Sequence, residues 1–385
     1  EPWPALSFPL TMQILALADD TTGALEVGAQ LAQTGVSAWV SLEPVSLPFH
    51  TTGLVWDLFV RHLQPDLAAG RVRNAAGQAR DTGIRYLYLK TDSTLRGPIG
   101  AEFQALLETF PDRPLVYVPA YPAMGRTVIE GLLYVDGRPL AETAFASDPL
   151  EPARESSVLR LLQRECKAPV QLVRSPEELR AALVQGQPGR VLVCDGRDDA
   201  DLRALAQTLA ARSQPYLVAG PAGFVGHWIP LLPLPRGYVP PRLHARRWLV
   251  VNGSLHPRSR EQTACSGLPR VLPGQELPKT LRWALLETSA EACVPAPDIA
   301  CRVAETAARL VAEGGIEGLV VFGGDTARAI LEALRVRWVE ACGELLPGLP
   351  VSRDPSSGLI LVSKAGGFGP PDLLARIRQE VERWQ

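Results

Sequence analysis

The sequence predicts an α/β protein of two three-layer α/β/α domains, each with a mostly parallel sheet, and a ligand cleft between them. Short, continuously apolar runs alternate with amphipathic stretches along most of the chain, a pattern typical of parallel strands covered by helices on both faces. The chain has 385 residues, more than one ordinary hydrophobic core accommodates. Five prolines at residues 230–241 interrupt the alternation and predict a linker.

The apolar runs predict the strands, and the stretches with helical periodicity predict the helices. Before the linker, strands are expected at residues 14–18, 38–41, 54–56, 84–89, 115–119, 191–194 and 216–219, with helices at 23–34, 65–82, from 99 onward and at 200–212. After it, strands are expected at 248–251, 318–322 and 359–363, with helices at 299–313, 326–335 and 372–384. We therefore expect an N-terminal domain at 12–240 and a C-terminal domain at 246–385, with a mobile segment at 345–357.

Composition excludes several classes of protein. The 39 basic and 41 acidic residues are intermixed, which argues against a nucleic-acid or membrane-surface binder. Six scattered cysteines without a C-x-x-C pair, and five histidines, argue against a zinc site or a disulfide framework and favour the reducing cytoplasm. The first eleven residues contain three prolines and no Lys or Arg, so we expect an extension there and no signal peptide.

Residues 87–102 are the most informative segment. A strand ends here in Lys90, and Asp92, Ser93 and Arg96 follow before a helix begins near Ile99. Ligands bind at the carboxyl ends of parallel strands in open α/β sheets. Two cations suit a carboxylate or phosphate, and Asp92 suits hydroxyl groups, so the segment predicts a site for a small, anionic, polyhydroxylated ligand. A polar turn with a surface salt bridge is the alternative.

Two further loops are expected at the same edge of the sheet. Asp19 and Asp20 follow the first strand and open the first helix. Such paired carboxylates can bind hydroxyl groups, accept a proton or hold a metal, whereas capping the helix needs only one of them. Arg126 and Thr127 follow the strand at 115–119, with an exposed arginine in a proline-rich turn as the alternative.

The second domain contains three glycine-rich turns, each placed after a predicted strand. They are Gly253-Ser254, Gly323-Gly324-Asp325-Thr326 and the segment Lys364–Gly369. Glycines allow backbone N–H groups to approach phosphates, and Lys364 could neutralise a phosphate as a point charge. For each turn alone, a tight connection is the alternative. None of the turns matches a Walker A or dinucleotide fingerprint, so a P-loop or a dinucleotide fold is not supported. Together the two domains predict phosphoryl transfer to a small hydroxylated acid across the interdomain cleft.

These segments resemble the four-carbon acid sugar kinase family, once catalogued as a domain of unknown function. The similarity rests on ADDTTGA at 18–24, KTDSTLRG at 90–97, GGDTA at 323–327 and KAGGFG at 364–369, and it extends in order from about residue 13 to about residue 374. The resemblance implies an ATP- and Mg²⁺-dependent kinase with an N-terminal sugar-acid domain and a C-terminal nucleotide domain. Members phosphorylate a hydroxyl of acids such as threonate, erythronate or 3-oxo-tetronate.

By position, the resemblance also implies residue roles. Asp20, Asp92 and Arg96 would be catalytic, with Asp20 or Asp92 as the base and Arg96 anchoring the substrate carboxylate. The expected substrate-binding residues are Asp19, Arg61, Lys90, Ser93 and Arg126. The expected nucleotide-binding residues are Ser254, Gly323, Gly324, Asp325, Thr326, Lys364, Gly366 and Gly367.

The chain departs from the family pattern at two positions. A segment that is usually Asp-Thr-x-Ser-Arg reads DLFVR at 57–61, and an acidic position that is often Asp is Glu26. The first departure bears on the identity of the acid, and it motivates the alternative of a non-catalytic sensor that binds a sugar acid or nucleotide. A hydroxy-acid dehydrogenase is a weaker alternative, since no dinucleotide fingerprint is present. The sequence does not determine which hydroxyl is phosphorylated. It also does not determine the oligomeric state, for which a homodimer is the candidate.

Overall fold

The structure, a computed structural model, describes residues 12–47, 49–147, 151–254, 256–272, 275, 277–278, 280–287 and 296–383. The extension expected at residues 1–11 lies outside these ranges, as does Trp384 at the end of the last predicted helix. Within the described ranges, no helix combines the length and the apolar run needed to cross a membrane.

The strands and helices predicted from the sequence are present, and the structure contains further strands and helices that were not predicted. The elements up to the linker are β1 (Ile14–Ala18), α1 (Thr21–Gln33), β2 (Ala38–Ser41), β3 (Gly53–Asp57), α2 (Pro65–Asp81), β4 (Tyr86–Lys90), α3 (Ile99–Thr109), β5 (Leu115–Tyr117), β6 (Arg126–Ile129), β7 (Leu132–Val135), β8 (Arg138–Pro139), α4 (Val158–Glu165), β9 (Val170–Val173), α5 (Pro176–Gln185), β10 (Val191–Cys194), α6 (Asp199–Ala210), β11 (Leu217–Gly220) and α7 (Ala222–Trp228). Those that follow are β12 (Trp248–Asn252), α8 (Pro257–Ala264), β13 (Arg270–Val271), β14 (Trp283–Glu287), α9 (Ala296–Gly314), β15 (Gly318–Phe322), α10 (Gly324–Ala333), β16 (Trp338–Leu346), β17 (Leu349–Arg353), β18 (Ile360–Lys364) and α11 (Leu373–Glu382).

The N-terminal unit is built on a parallel sheet of seven strands. Their order is β3-β1-β4-β11-β5-β10-β9, and every pair is parallel. β1 is buried at every residue, and the apolar run that predicted it is continuous because both faces of the sheet are covered. A small antiparallel sheet, β6-β7-β8, is added after β5, and the sequence analysis did not anticipate it.

The C-terminal unit is built on a mixed sheet in the order β13-β14-β12-β15-β18-β17-β16-β2. Its first five strands are parallel and its last three join in antiparallel fashion. Its core gathers large side chains from several strands, with Trp248 and Trp283 stacked at 5.3 Å between ring centroids. The prediction of a mostly parallel α/β fold with two domains is confirmed.

The compact units do not follow a single cut of the chain. Residues 20–33 and 39–43 group with the C-terminal residues 238–385, and the other residues before 238 form the N-terminal unit. The reason is that α1 packs on β16, β17 and α10. Gln30 Nε2 on α1 donates to Glu344 Oε1 on β16 at 2.9 Å.

The prediction that residues 345–357 form a mobile segment is wrong. These residues contain the end of β16, all of β17 and a turn closed by Asp354, whose carboxylate accepts from the backbone N–H groups of Ser356 and Ser357. Proline and serine indicated a loop, but β17 pairs with a strand on each side, and this pairing outweighs local propensity.

Candidate active site

Three adjacent parallel strands bring the predicted acid-binding residues of the N-terminal unit to one edge of its sheet. Ala18 at the end of β1 pairs in register with Asp57 at the end of β3 and with Lys90 at the end of β4. Because these strands run in the same direction, the loops after them leave the same edge. They carry five side chains that we call the charged cluster: Asp19, Arg61, Lys90, Asp92 and Arg96.

Asp19 lies between two cations of this cluster. Its Oδ1 accepts from Lys90 Nζ and its Oδ2 accepts from Arg61 Nε, each at 2.8 Å. Arg61 also approaches Asp92, with Nη2 lying 3.5 Å from Oδ1. These side chains are almost completely buried, so their attraction is little screened by solvent.

Asp92 holds Arg96 in a two-pronged ion pair. Arg96 Nε donates to Oδ2 at 2.9 Å, and Nη2 donates to Oδ1 at 2.8 Å, while Thr94 donates to Oδ2 through its backbone N–H at 2.9 Å. Burial alone would raise the pKa of Asp92, but Arg96 and Arg61 hold this pKa well below its ordinary value. Asp92 therefore remains ionised, with its lone pairs directed at donors.

The loop at 57–61 departs from the family pattern in sequence, and its conformation shows how the charged groups are kept. Leu58 and Val60 are buried, so the apolar residues point into the protein. Asp57 Oδ1 accepts from the N–H of Phe59 at 3.0 Å, and Phe59 adopts a left-handed φ of 48°. This turn brings Arg61 to Asp19, and the departure thus leaves the cluster complete.

Glu102 is a member of this region that the sequence analysis missed. It lies on α3, is 1% exposed, and its Oε2 has no hydrogen-bond partner among the described residues. Burial raises the pKa of Glu102 well above its ordinary value, the carboxylate of Asp19 acts in the same direction, and Arg61 and Lys90 oppose them. The signal in the sequence was a lone glutamate on the apolar face of a predicted helix.

The remaining predicted acid-binding residues lie near this cluster. Ser93 is half-buried on the turn after β4. Arg126 begins β6, and its guanidinium carbon lies 5.5 Å from the centroid of the Phe145 ring, while that of Arg96 lies 5.9 Å from the same centroid. The structure therefore brings the two arginines to one aromatic ring. A cavity of about 460 Å³ is lined by Arg96, Gly97 and residues 151–155.

Asp20, although next to Asp19 in sequence, groups with the C-terminal unit. Its Oδ1 accepts from the N–H of Gly23 at 3.0 Å, so it caps α1. Its Oδ2 faces the start of α10, because a Cβ placed on Gly324 would lie 3.0 Å from this oxygen and 2.8 Å from Thr22 Oγ1. The adjacent carboxylates therefore differ in their partners: Asp19 belongs to the charged cluster, and Asp20 caps α1 and faces the start of α10.

The three glycine-rich turns of the C-terminal unit meet at one edge of its sheet. Asn252, Phe322 and Lys364 end the adjacent parallel strands β12, β15 and β18 in register. The turns touch closely, since a Cβ on Gly253 would lie 2.3 Å from Thr326 Oγ1, and one on Gly366 would lie 2.6 Å from Ser254 Oγ.

Other members of the turns differ in exposure. Gly323 has a φ of 100°, which a side chain would strain, and it precedes α10. Asp325 and Gly367 are exposed, whereas Lys364 is fully buried, with Nζ donating to the carbonyl oxygens of Ala365 and Gly366 at 2.8 Å each.

The turns fit the phosphates of a nucleotide. Glycines stand where a Cβ would fill the space between the loops, and α10 begins at Gly324 with its N–H groups directed out of the helix. Within the described ranges, no three His, Cys, Asp or Glu side chains form a metal-binding group. Mg²⁺ commonly uses one or two carboxylates together with substrate phosphates, and Asp325 lies in the first turn of α10.

Comparison with known proteins matches both halves of the chain. Residues 14–228 match a sugar-binding N-terminal domain, and residues 283–374 match a nucleotide-binding C-terminal domain. A D-threonate kinase of Bordetella bronchiseptica is 32% identical over 95% of this chain and 96% of its own length. A 3-oxo-tetronate kinase of Pseudomonas fluorescens is 27% identical over 94% of this chain and 95% of its own length.

Solved structures share the fold. A crystal structure from Salmonella typhimurium LT2 has a TM-score of 0.79 at 22% identity, covering 95% of this chain and 99% of that chain. A domain of unknown function from Bordetella bronchiseptica, a domain-swapped dimer with bound citrate, has a TM-score of 0.51 at 30% identity and covers 96% and 98%. The predicted family and the prediction of a kinase are confirmed: the chain belongs to the four-carbon acid sugar kinases.

Proposed function

We propose that the chain transfers the terminal phosphoryl group of ATP, with Mg²⁺, to a hydroxyl group of D-threonate. The observation that carries the proposal is the charged cluster, where three cations and two carboxylates meet at the ends of adjacent strands. The five side chains of the cluster carry one net positive charge, which suits the single carboxylate of a sugar acid. D-threonate is preferred to 3-oxo-tetronate because the kinase named for it is the more similar of the two relatives.

The arginines that meet at Phe145 would bind the substrate carboxylate. Arg96 is 24% exposed, and its ion pair with Asp92 fixes the orientation of the guanidinium, which favours a preorganised site for a carboxylate. Arg126 adds a second guanidinium on the same ring. Asp19, Lys90 and Ser93 would contact the hydroxyl groups.

Asp20 is the better general base of the two predicted candidates. Asp92 has a lowered pKa and accepts hydrogen bonds from Thr94 and Arg96, so it has little affinity for another proton. Asp20 Oδ2 lies beside Gly324, at the turn that we assign to the phosphates. A base there can take the proton of the attacking hydroxyl as the phosphoryl group is transferred.

The nucleotide would be bound mainly by backbone. Ser254, Thr326 and the N–H groups of Gly324, Gly366 and Gly367 would face the phosphates. Gly323, whose own N–H donates to the carbonyl oxygen of Lys364 at 2.9 Å, would contribute the left-handed turn before α10. Mg²⁺, carried by the phosphates and Asp325, would neutralise charge on the transferred group.

The proposal is tested by ADP release with Mg-ATP on a panel of D-threonate, L-threonate, erythronate and 3-oxo-tetronate. Turnover is expected on D-threonate, and in Arg96→Ala the kcat/KM for this acid should fall by about 30-fold or more. Turnover restricted to another acid would correct the substrate and keep the kinase. Saturable binding of an acid without ADP release on any of them would contradict the proposal and favour the sensor.

We also propose a cytoplasmic homodimer. The five cysteines in the described ranges are free thiols, as expected in a reducing compartment. The solved domain of unknown function from Bordetella bronchiseptica is a domain-swapped dimer. Light scattering coupled to size-exclusion chromatography should give about twice the chain mass of 41.6 kDa. A measured mass of one chain would contradict the dimer.

A further inference from the structure

Lys364 ends β18 with its ammonium turned into the protein. It is fully buried, and Nζ donates to the carbonyl oxygens of Ala365 and Gly366 at 2.8 Å each and approaches Ser259 Oγ at 3.4 Å. It also lies 4.5 Å from the centroid of the Phe322 ring. A lysine has three N–H donors, so these three oxygens account for all of them.

The two carbonyl groups that Lys364 binds determine the direction of two N–H groups. In a planar trans peptide, the C=O of one residue and the N–H of the next point in opposite directions. With the carbonyls of Ala365 and Gly366 directed at Lys364, the N–H groups of Gly366 and Gly367 point away from it. Neither donates to an acceptor within the described ranges, and Gly367 is exposed.

Ser259, which lies on α8, also holds the carbonyl group of Gly366 in this direction. Its Oγ donates to the carbonyl oxygen of Gly366 at 2.6 Å, so that carbonyl is held by two donors. The carbonyl of Ala365 also accepts from the N–H of Phe368 at 3.1 Å, which closes the turn. Successive N–H groups that point to one side form a concave site for anions.

We propose that Lys364 is a positioning residue, which aims the N–H groups of Gly366 and Gly367 at the nucleotide phosphates and makes no contact with phosphate itself. The inference rests on the proposed function, because it takes the phosphates of ATP as the anion. It replaces the expectation that the ammonium neutralises a phosphate directly.

The charge state of Lys364 agrees with this role. Burial lowers its pKa to about 7, and the Arg258 guanidinium acts in the same direction. A neutral amine still has two N–H donors for the two carbonyls at 2.8 Å, so holding the turn does not require the charge of Lys364.

A double-mutant cycle separates positioning from direct binding. The ATP KM is measured at saturating sugar acid for the wild type, Lys364→Met, Ser259→Ala and the double variant, with exposed Lys167→Met as control. Loss of the two hydrogen bonds to the carbonyls should raise the ATP KM about tenfold in Lys364→Met, with the sugar-acid KM unchanged. Because both residues act through the Gly366 carbonyl, the double variant should resemble Lys364→Met alone. If the increases in ATP KM caused by the two single substitutions multiplied in the double variant, the inference would be overturned.

Hydrogen exchange of the peptide at 364–370 in the nucleotide-free protein gives an independent readout. Positioning predicts faster exchange in Lys364→Met and in Ser259→Ala, and equal exchange in all variants would overturn it. If Lys364→Met does not fold, Ser259→Ala decides both readouts. A wild type without ATP binding or turnover would refute the proposed function, and the exchange measurement would still decide whether Lys364 holds the turn.

Discussion

The two units present different chemistry at the ends of their strands. In the N-terminal unit, charged side chains face one another, and Asp19 and Asp92 each hold two cations. In the C-terminal unit, glycines bring backbone groups together, and the buried Lys364 binds backbone carbonyls. The comparison teaches that one unit is suited to recognise a particular acid by charge, whereas the other is suited to phosphate through N–H groups.

The largest expected effect comes from removing the proposed base. Asp20→Asn should lower kcat by about 100- to 10,000-fold, because general base catalysis contributes on this scale, while both KM values stay near those of the wild type. Asparagine caps helices as well as aspartate does, so α1 should be retained. Steady-state kinetics checks this, with Asp92→Asn for comparison.

The same comparison identifies the base. We expect Asp92→Asn to act mainly through the sugar-acid KM, because it loosens Arg96 and Arg61. A collapse of kcat in Asp92→Asn with normal kcat in Asp20→Asn would reverse the assignment.

Arg96→Ala should lower kcat/KM for the sugar acid next most strongly. Truncating one partner of a buried charge pair costs about 2–5 kcal/mol, which is roughly 30-fold to several thousand-fold. The ATP KM should not change. Arg73→Ala, which removes an arginine from an exposed pair with Glu108, is the control and should behave as wild type.

Gly253→Ala should affect the C-terminal unit. The added Cβ would lie 2.3 Å from Thr326 Oγ1, so the turns must separate at a cost of about 1–3 kcal/mol, with a lower Tm and a higher ATP KM. Gly70→Ala on α2 is the matched control, since its Cβ meets nothing within 4 Å, and it should stabilise by up to about 1 kcal/mol. An unchanged ATP KM in Gly253→Ala would contradict the assignment of this turn to the nucleotide site.

The smallest expected effect concerns Glu102 and pH. Its pKa is raised, so as pH rises through that pKa the group ionises and places a negative charge near Asp19. The sugar-acid KM of the wild type should therefore rise with pH. Glu102→Gln should keep the low-pH value of the wild type and remove this rise, and the pH profile of KM measures both.

Much of this arrangement could be predicted from the sequence. Alternating apolar runs located β1, β2, β10 and β15 at their observed bounds, because fully buried parallel strands are apolar at nearly every residue. Polar residues placed after β1 and β4 indicated most of the charged cluster, because parallel strands end at a common edge.

Other features depend on contacts between distant segments. The grouping of α1 with β16 requires a helix and a strand about 300 residues apart in sequence, which no local pattern contains. The inward direction of Lys364 depends on Ser259 and on two carbonyls, whereas its residue type alone indicated a phosphate partner. Glu102 has the position of a core residue, and only its burial near Asp19 distinguishes it.

The most direct test of the contrast between the units is a two-substrate kinetic comparison of the wild type, Arg96→Ala and Gly253→Ala, with D-threonate and ATP each varied. We predict that Arg96→Ala raises only the sugar-acid KM and that Gly253→Ala raises only the ATP KM. If each variant raised both values equally, the assignment of one ligand to each unit would be contradicted.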